Sequence, residues 1–277
     1  AKGREVGVMQ GRGYFEDSST LRVETADGQQ FVKFQTAIVA VGSKSALPKA
    51  FDLGNPRIMT SRQALELEEI PPRLLIVGGG YIGMELGTVY TALGSRVVMV
   101  EAGPAILASA DQDLIRPVIK YADDHFEEVR LSTRVADMAT QGKQIKVTFA
   151  GGKHDGVSEL FDRVLVSVGR VPNHENLGLE NTKVRLDEKG FIRVNERQQT
   201  DDPNILAIGD IAGGVLLAHK ASKEARIAVD VITGGDNSRT DILVPAVVFT
   251  DPEVAWVGLT EEEAKQKGIA HKVAKFP

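Results

Sequence analysis

The fold is decided by residues 74–101, LLIVGGGYIGMELGTVYTALGSRVVMVE, of a 277-residue chain. Four apolar residues, 74–77, predict a buried strand, and the glycines after them predict a tight turn. Apolar residues then recur at the spacing of one helical face, at Ile82, Leu86, Val89 and Leu93. Gly94 is expected to end this helix, and the apolar run 97–100 to form a second buried strand. The stretch therefore predicts a strand–helix–strand unit of a parallel sheet.

The glycine turn, GGGYIG at 78–83, fits the pattern G-x-G-x-x-G that binds the pyrophosphate of a dinucleotide. Gly78 permits the tight turn, Gly80 lets a pyrophosphate approach the backbone, and Gly83 lets the helix pack on the strand. The helix N-terminus adds N–H groups and positive potential. Glu101 follows the second strand, where an acidic side chain binds the ribose hydroxyls. The alternative, a structural turn beside a surface glutamate, is disfavoured by the strand and helix around it.

Glu101 also predicts which dinucleotide binds. A carboxylate at this position repels a 2′-phosphate, and a site for NADP normally provides arginine instead. Arg96 lies at the start of the strand, which is the wrong end to provide that charge. NAD is therefore the predicted cofactor of this unit.

Two further apolar runs predict a second nucleotide site, AIVAVG at 37–42 and ILAIGD at 205–210. Each is expected to be a buried parallel strand that ends in glycine. Asp210 then lies just beyond a strand's carboxyl end, where open sheets bind their ligands. The alternative, that Asp210 only caps a helix, stays open.

Weaker patterns predict the remaining elements. Strands are expected at 20–24 and 31–34 around the turn Asp27-Gly28, at 145–149 in a meander, at 164–168, and in an antiparallel segment from 244. Helices are expected at 61–67, at 111–125 with Pro117 bending it or lying near its start, and after His219. The inner face of the last helix is expected to carry Ala225, Val229 and Ile232.

Composition excludes several classes of function. Lys and Arg number 33 against 38 Asp and Glu, so the net charge of −5 argues against a nucleic-acid-binding surface. No apolar run reaches the 18 residues that predict a membrane helix. The chain has no cysteine, which excludes disulfides, thiol nucleophiles and cysteine-bound metals within it. The five histidines are scattered, and His125, His154, His174 and His271 are expected to face solvent, so neither a metal site nor a catalytic residue is predicted.

Four motifs carry a resemblance to a known family: GGGYIGMELGTVYTALG at 78–94, VGRVPN at 168–173, AIGDIAGGVLLAHKA at 207–221 and TDPEVAWVGLTEEEAK at 250–265. On these motifs the whole chain resembles the pyridine nucleotide–disulfide oxidoreductases, a family of flavoproteins. Their general spacing would also fit glutathione or mercuric reductase. The segment 217–220, LAHK, together with Gly83 and Glu101, favours the branch that acts on lipoamide.

The resemblance implies a role for individual residues on the NAD side. The pyrophosphate would lie against Gly78, Gly79, Gly80, Tyr81, Ile82 and Gly83. Glu101 would bind the adenine ribose, Val135 would touch the adenosine half, and Gly169 and Arg170 would lie near the nicotinamide.

On the FAD side, the resemblance implies that Asp210 hydrogen-bonds the ribityl chain and that the backbone of Ala218 meets the flavin ring. Gly13 and Gly42 would pass close to FAD. Glu85 matches a glutamate that pairs with a lysine beside the flavin, and that lysine is not in this chain.

The resemblance implies an α/β fold with a Rossmann-like NAD-binding domain, residues 48–171, inserted in a discontinuous FAD-binding domain, residues 1–47 and 172–242. Residues 243–277 would begin an α+β interface domain. The family's first glycine motif, its C-x4-C redox disulfide and its C-terminal His and Glu have no counterpart here. The chain is therefore expected to be the middle of such an enzyme and inactive alone.

The implied activity is oxidation of dihydrolipoamide, with electrons passing through FAD to NAD⁺. Expected partners are FAD, NAD(H), the lipoyl domain of a 2-oxo acid dehydrogenase complex and a second copy of the protein, and the expected compartment is the cytoplasm or mitochondrial matrix. Two alternatives stay open: a non-catalytic nucleotide-binding module, and another flavoenzyme of the family such as an NADH oxidase or mercuric reductase.

Overall fold

A computed structural model describes residues 2–235 and 243–276 of the chain. The strands are β1 (Arg12–Phe15), β2 (Thr20–Thr25), β3 (Gly28–Lys33), β4 (Ala37–Val39), β5 (Ser43–Ser45), β6 (Ile58–Met59), β7 (Arg73–Val77), β8 (Arg96–Val100), β9 (Glu128–Arg130), β10 (Arg134–Gln141), β11 (Gln144–Ala150), β12 (Ser158–Phe161), β13 (Arg163–Val166), β14 (Arg170–Pro172), β15 (Ile205–Ala207), β16 (Ala246–Val248) and β17 (Val254–Trp256). The α-helices are α1 (Ser61–Glu66), α2 (Tyr81–Ala92), α3 (Arg116–His125), α4 (Ala218–Ile232) and α5 (Glu261–Gln266). The elements confirm an α/β fold with parallel sheets.

The chain divides into two compact units. The first unit contains residues 1–44 and 171–244, and the second contains residues 45–170 and 245–277. Residues 45–170 of the second unit therefore interrupt the first unit along the sequence, and residues 245–277 of the second unit follow it. Which nucleotide each unit binds stays a prediction at this stage.

The second unit is built on a five-stranded sheet of order β6-β13-β7-β8-β9, in which every neighbouring pair is parallel. Helix α2 connects β7 to its neighbour β8, which confirms the predicted strand–helix–strand unit. Side chains of β7 and β8 alternate between two cores, as a strand requires. Leu74 and Ile76 pack with the helices α2 and α3, whereas Leu75 and Val77 pack with the antiparallel meander β10-β11-β12.

The buried face of α2 differs from the predicted one. Val89 and Leu93 are 40% and 48% exposed, so their assignment to the inner face was wrong. The buried residues of the helix are Gly83, Met84, Leu86, Gly87 and Tyr90. Two glycines lie on this face because the backbone of α2 comes close to its neighbours, and an added Cβ at Gly87 would lie 2.7 Å from Phe126 Cζ. Gly94, with φ of +102°, follows the helix as predicted.

Ion pairs connect the parallel sheet to the meander of the second unit. The carboxylate of Glu159 on β12 binds Arg73 and Arg130, each at 2.7 Å, and both guanidinium groups lie over phenylalanine rings. Burial raises the pKa of Glu159, but hydrogen bonds from the two arginines outweigh that effect and leave the pKa below its usual value. The two ion pairs of Glu159 therefore stabilise the folded protein fully at a pH above the unfolded-state pKa of glutamate. This stabilisation is lost as the pH falls through the lowered pKa that Glu159 has in the folded protein.

The first unit contains the parallel pair β4–β15 and the antiparallel sheet β1-β2-β3. Strand β4 is shorter than predicted, and Ile38 and Val41 are 36% and 40% exposed, so the segment is not buried on both faces. The hairpin is confirmed, although its register places Thr25 opposite Gly28 and leaves Ala26-Asp27 in the turn. The chain enters and leaves the second unit near β5 and β14.

Helix α4 also buries a different face from the predicted one. Val229 and Ile232 are 53% and 44% exposed, and only Ala225 of the predicted inner residues packs on the β15 core. The buried residues are Lys220, Glu224, Ile227 and Ala228. A charged pair thus occupies half of the inner face, which an apolar pattern does not reveal.

Other boundaries agree more closely with the sequence. Helix α1 begins after Thr60, which forms a capping box with Gln63, and α3 has Pro117 in its first turn. Strand β13 ends at Val166, and Val168 is 44% exposed, so the predicted strand 164–168 was too long. The segment from 244 does form an antiparallel pair, β16–β17. Among the helices of the described residues, none is long and apolar enough to span a membrane.

Candidate nucleotide-binding sites

The glycine turn between β7 and α2 is packed tightly on one side and open on the other. Gly78 has φ of +111°, and an added Cβ would lie 2.5 Å from the carbonyl oxygen of Ser167. An added Cβ at Gly83 would lie 2.0 Å from the carbonyl oxygen of Gly78, so the helix rests directly on the turn. By contrast, a Cβ at Gly80, the N-cap of α2, would meet nothing within 4 Å. The turn therefore presents open backbone at the positive end of a helix.

Glu101 lies beneath this turn and is held by backbone N–H groups. Its two carboxylate oxygens accept hydrogen bonds from Gly79 N at 2.7 Å and from Gly103 N at 2.6 Å. Gly79 in turn accepts a hydrogen bond from Leu107 N at 2.9 Å. Each carboxylate oxygen has a further lone pair, so the carboxylate of Glu101 can still accept hydrogen bonds from ribose hydroxyls.

Two other predicted residues of the NAD site, Gly169 and Arg170, follow a strand at the same edge of the sheet, and a third, Val135, lies on the meander. The hydroxyl of Ser167 donates to Val77 O at 3.0 Å, which places the end of β13 beside the glycine turn. Gly169, with φ of +129°, and Arg170 follow that strand end. Val135 is half-buried on β10, beside a shift in the register of β10 and β11. It follows Thr133 by two residues, and the backbone N–H of Thr133 donates a hydrogen bond to the carbonyl oxygen of Glu101. Gly169 and Arg170 thus follow the carboxyl end of a parallel strand, as the glycine turn and Glu101 do, whereas Val135 lies on the antiparallel meander.

Glu85 has a different contact from the one implied by the resemblance. Its carboxylate accepts a hydrogen bond from the backbone N–H of Phe249 at 2.9 Å. This bond connects α2 to the loop between β16 and β17. Phe249 itself is 62% exposed, whereas Trp256 of β17 packs against the core of the second unit.

In the first unit, Gly42 and Asp210 follow the neighbouring parallel strands β4 and β15. The hydroxyl of Ser43 donates to the carboxylate of Asp210, so residues from both strand ends meet. Asp210 lies in a 3₁₀ turn, Gly209–Ala212, and does not cap α4, whose N-cap is Leu217. The structure therefore places Asp210 where open sheets bind ligands.

The other two predicted residues of the FAD side lie on separate elements of the first unit. Ala218 is the first residue of α4 and is exposed. Gly13 lies on β1 opposite Val23, and an added Cβ would be 3.2 Å from Leu21 Cδ2.

Sequence reasoning missed a buried ion pair beside Asp210. Lys220 and Glu224 on α4 are only 5% and 8% exposed, and both contact the peptide groups of Gly209. Their four-residue spacing on a helix could have indicated an ion pair, but a pair of that kind is normally a solvated surface feature. The motif AHKASKE contains no signal that distinguishes the buried case.

The histidines are only partly as predicted. His125 and His271 are exposed, but His154 contacts Glu128 and is 20% exposed, and His174 is half-buried against Gly190. The expectation that His154 and His174 face solvent was therefore wrong. Within residues 2–235 and 243–276, no group of three His, Cys, Asp or Glu side chains could hold a metal ion.

Comparison with protein families gives two matches. Residues 2–225 match the model of the pyridine nucleotide-disulphide oxidoreductases, and residues 244–277 match the dimerisation domain of the same family. The second match begins just before β16, where the antiparallel segment begins.

Curated relatives include dihydrolipoyl dehydrogenases from Vibrio cholerae, 42% identical over 277 residues, and from Haemophilus influenzae, 41% identical over 278 residues. Both alignments cover the whole chain and 58% of the relative, so the chain spans just over half the length of these proteins. Similar solved structures include the HOCl-induced flavoprotein disulfide reductase RclA from Escherichia coli, solved as a Cu(II) complex of its C43S mutant. The two structures superpose with a TM-score of 0.87 at 27% sequence identity, and the match covers 96% of this chain and 60% of that one. LpdA from Mycobacterium tuberculosis gives TM-score 0.85 and 30% identity over 95% of this chain and 58% of that one. Because the family model matches residues 2–225, which is most of this chain, the chain belongs to the pyridine nucleotide-disulphide oxidoreductase family.

Proposed function

We propose that this chain supplies the NAD site and part of the FAD site of a flavoprotein that oxidises dihydrolipoamide. The observation that carries the proposal is the glycine turn with Glu101 bonded beneath it, at the carboxyl edge of a parallel sheet. The substrate class is taken from the relatives, which are named dihydrolipoyl dehydrogenases and are up to 42% identical to this chain. The two parts of the proposal are therefore tested separately.

Open backbone at Gly80 supports the NAD site. A pyrophosphate needs to approach the turn closely, and a side chain at Gly80 would fill the space that is open there. Residues proposed to bind NAD are Gly78, Gly79, Gly80, Tyr81, Ile82, Gly83 and Glu101, with Val135 on β10 and Gly169 and Arg170 after β13. The fixed negative charge of Glu101 favours NAD over NADP, because it repels a 2′-phosphate.

The strand ends of the first unit support part of an FAD site. Asp210 can accept hydrogen bonds from flavin ribityl hydroxyls, and the N-terminus of α4 at Ala218 provides positive potential for the ring. Gly42 and Gly13 are further proposed contacts, and Glu85 is kept as the glutamate that would pair with a lysine beside the flavin, a lysine that is not in this chain. We assign residues 1–47 and 172–242 to the FAD-binding domain, residues 48–171 to the NAD-binding domain, and residues 243–277 to the interface domain.

FAD and NAD⁺ would supply the hydride chemistry, and the chain's own residues bind and orient them. Dihydrolipoamide loses two electrons and two protons as its two thiols form a disulfide; NAD⁺ gains a hydride, and one proton is released. The chain contains no cysteine, so its residues cannot perform the dithiol–disulfide exchange. We therefore assign it no catalytic residue, and we expect it to be inactive by itself.

The partners are proposed on the same basis. The match of residues 244–277 to the dimerisation domain supports a homodimer. The dihydrolipoyl dehydrogenase relatives support a lipoyl domain as the protein partner. The fold likeness to RclA, a flavoprotein disulfide reductase, favours a second candidate function, reduction of a different disulfide substrate.

Flavin absorbance of the purified full-length protein, of which we propose this chain to be a part, tests the proposal; this is the intact protein of the experiments below. We expect a yellow protein whose visible flavin absorbance is bleached by NADH under anaerobic conditions, much faster than by NADPH. Addition of dihydrolipoamide and NAD⁺ should then produce NADH. A flavin reduced by NADH without turnover of dihydrolipoamide would favour the second disulfide substrate, and a protein that binds neither nucleotide would overturn the proposal.

A further inference from the structure

Lys220 and Glu224 are the buried ion pair of α4. Their side chains lie one helical turn apart, with Lys220 Nζ 2.8 Å from Glu224 Oε1. Removing two charges from water costs free energy that their mutual attraction often does not recover, so a buried pair is weak evidence for a purely stabilising role. An apolar pair of the same size would pack this helix at least as well.

Both side chains also bind the peptide groups of one residue. Glu224 Oε2 accepts a hydrogen bond from Gly209 N at 2.7 Å, and Lys220 Nζ donates to Gly209 O at 3.2 Å. Gly209 has φ of +77°, and an added Cβ would lie 3.2 Å from the Cβ of Ala221. The pair therefore fixes both the N–H and the C=O of a glycine in a left-handed turn, which no apolar pair could do.

The residue that follows this fixed glycine is Asp210. Its backbone direction depends on Gly209, and its carboxylate accepts a hydrogen bond from Ser43 on the neighbouring strand end. Two independent sets of contacts thus determine where this carboxylate lies, one from α4 through Gly209 and one from β5. A carboxylate that binds one particular hydroxyl needs such support, because hydrogen bonds weaken steeply with misalignment.

We propose that Lys220 and Glu224 are positioning residues of the flavin site, which hold the Gly209–Asp210 turn so that Asp210 can accept a hydrogen bond from a ribityl hydroxyl of FAD. The inference rests on the FAD part of the proposed function. It adds a role for two residues that touch no cofactor atom themselves. Their effect passes through the peptide groups of Gly209.

The test is the double variant Lys220→Met/Glu224→Leu in the intact protein, which removes both charges and keeps the buried volume. We expect FAD binding, measured by titration of the flavin-free protein, to weaken about 10- to 100-fold, the loss of one charge-assisted hydrogen bond. The affinity for NADH should stay unchanged, and the thermal unfolding temperature of the flavin-free protein should fall only modestly, because the buried peptide groups of Gly209 lose their partners. Glu224→Gln should recover most of the FAD affinity, since its amide oxygen can still accept from Gly209 N–H.

A matched control is Lys120→Met/Asp124→Leu on α3 of the other unit. These residues form an exposed ion pair of the same spacing, at 2.7 Å, and the variant should bind FAD normally. Unchanged FAD affinity in the Lys220/Glu224 variant would overturn the inference while leaving the proposed function intact. A parallel loss of NADH affinity would also overturn it, because the pair would then act on the folding of the whole protein and not on the flavin site alone. An unmodified protein that binds no FAD would overturn both.

Discussion

Gly80→Ala should weaken NADH binding strongly while leaving the protein as stable as before. Gly80 has φ of −76°, which alanine adopts readily, and its added Cβ would meet no protein atom within 4 Å. The methyl group would instead occupy the space through which a pyrophosphate approaches the turn. We expect NADH affinity, measured by fluorescence titration, to fall about tenfold or more.

Gly83→Ala is the matched variant, because it adds the same methyl group to the same turn on its packed side. Its Cβ would lie 2.0 Å from Gly78 O and 2.9 Å from Ser167 Oγ, so the helix must move away from the strand. Overpacking of this kind typically costs about 1–3 kcal/mol of stability. Gly83→Ala should therefore lower both the unfolding temperature and NADH affinity. Normal NADH binding by Gly80→Ala would show that the nucleotide does not approach this turn.

Glu101→Arg should reverse the preference between the two dinucleotides. The change replaces a charge that repels a 2′-phosphate with one that attracts it. It also removes the acceptor for the N–H groups of Gly79 and Gly103, so NADH affinity should fall through two effects. We expect the ratio of NADPH affinity to NADH affinity to rise roughly 100-fold, because the carboxylate's hydrogen bond to the ribose is lost and the arginine's bond to the 2′-phosphate is gained.

Glu101→Gln separates these two effects. Glutamine keeps one acceptor oxygen and nearly the same volume, but it carries no charge and cannot bind both N–H groups. NADH affinity should fall moderately, with only a small gain for NADPH. Equal selectivity in the unmodified protein and the Glu101→Arg variant, measured by titration with both dinucleotides, would mean that Glu101 does not read the ribose.

The sequence predicted the elements around the proposed NAD site well because strands buried on both faces are continuous apolar runs. The turn at 78–83 was equally legible, since its glycines are demanded by a positive φ at Gly78 and a close contact at Gly83. The buried face of helix α2, by contrast, could not be predicted from the spacing of its apolar residues. Gly83 and Gly87 let α2 pack by its backbone, so the apolar positions Val89 and Leu93 lie outside the contact.

The surroundings of the proposed FAD site were harder to predict, because buried polar side chains hold the backbone there. Helix α4 buries Lys220 and Glu224, and hydropathy patterns place such residues on the surface. Hydrogen bonds from a side chain to a distant backbone group, such as Gly209 N–H to Glu224 or Phe249 N–H to Glu85, leave no trace in residue spacing. The predicted contacts of individual residues with either nucleotide rest on family resemblance.

Hydrogen–deuterium exchange of the intact protein, with and without saturating NADH, tests the central claim most directly. The claim is that the dinucleotide lies on the open side of the turn at 78–83, above Glu101 and at the N-terminus of α2. It predicts that NADH slows exchange in the peptide covering 78–83, and that the same concentration of NADPH does so less. Unchanged exchange at 78–83 under saturating NADH, with slowing confined to other segments, would contradict the account.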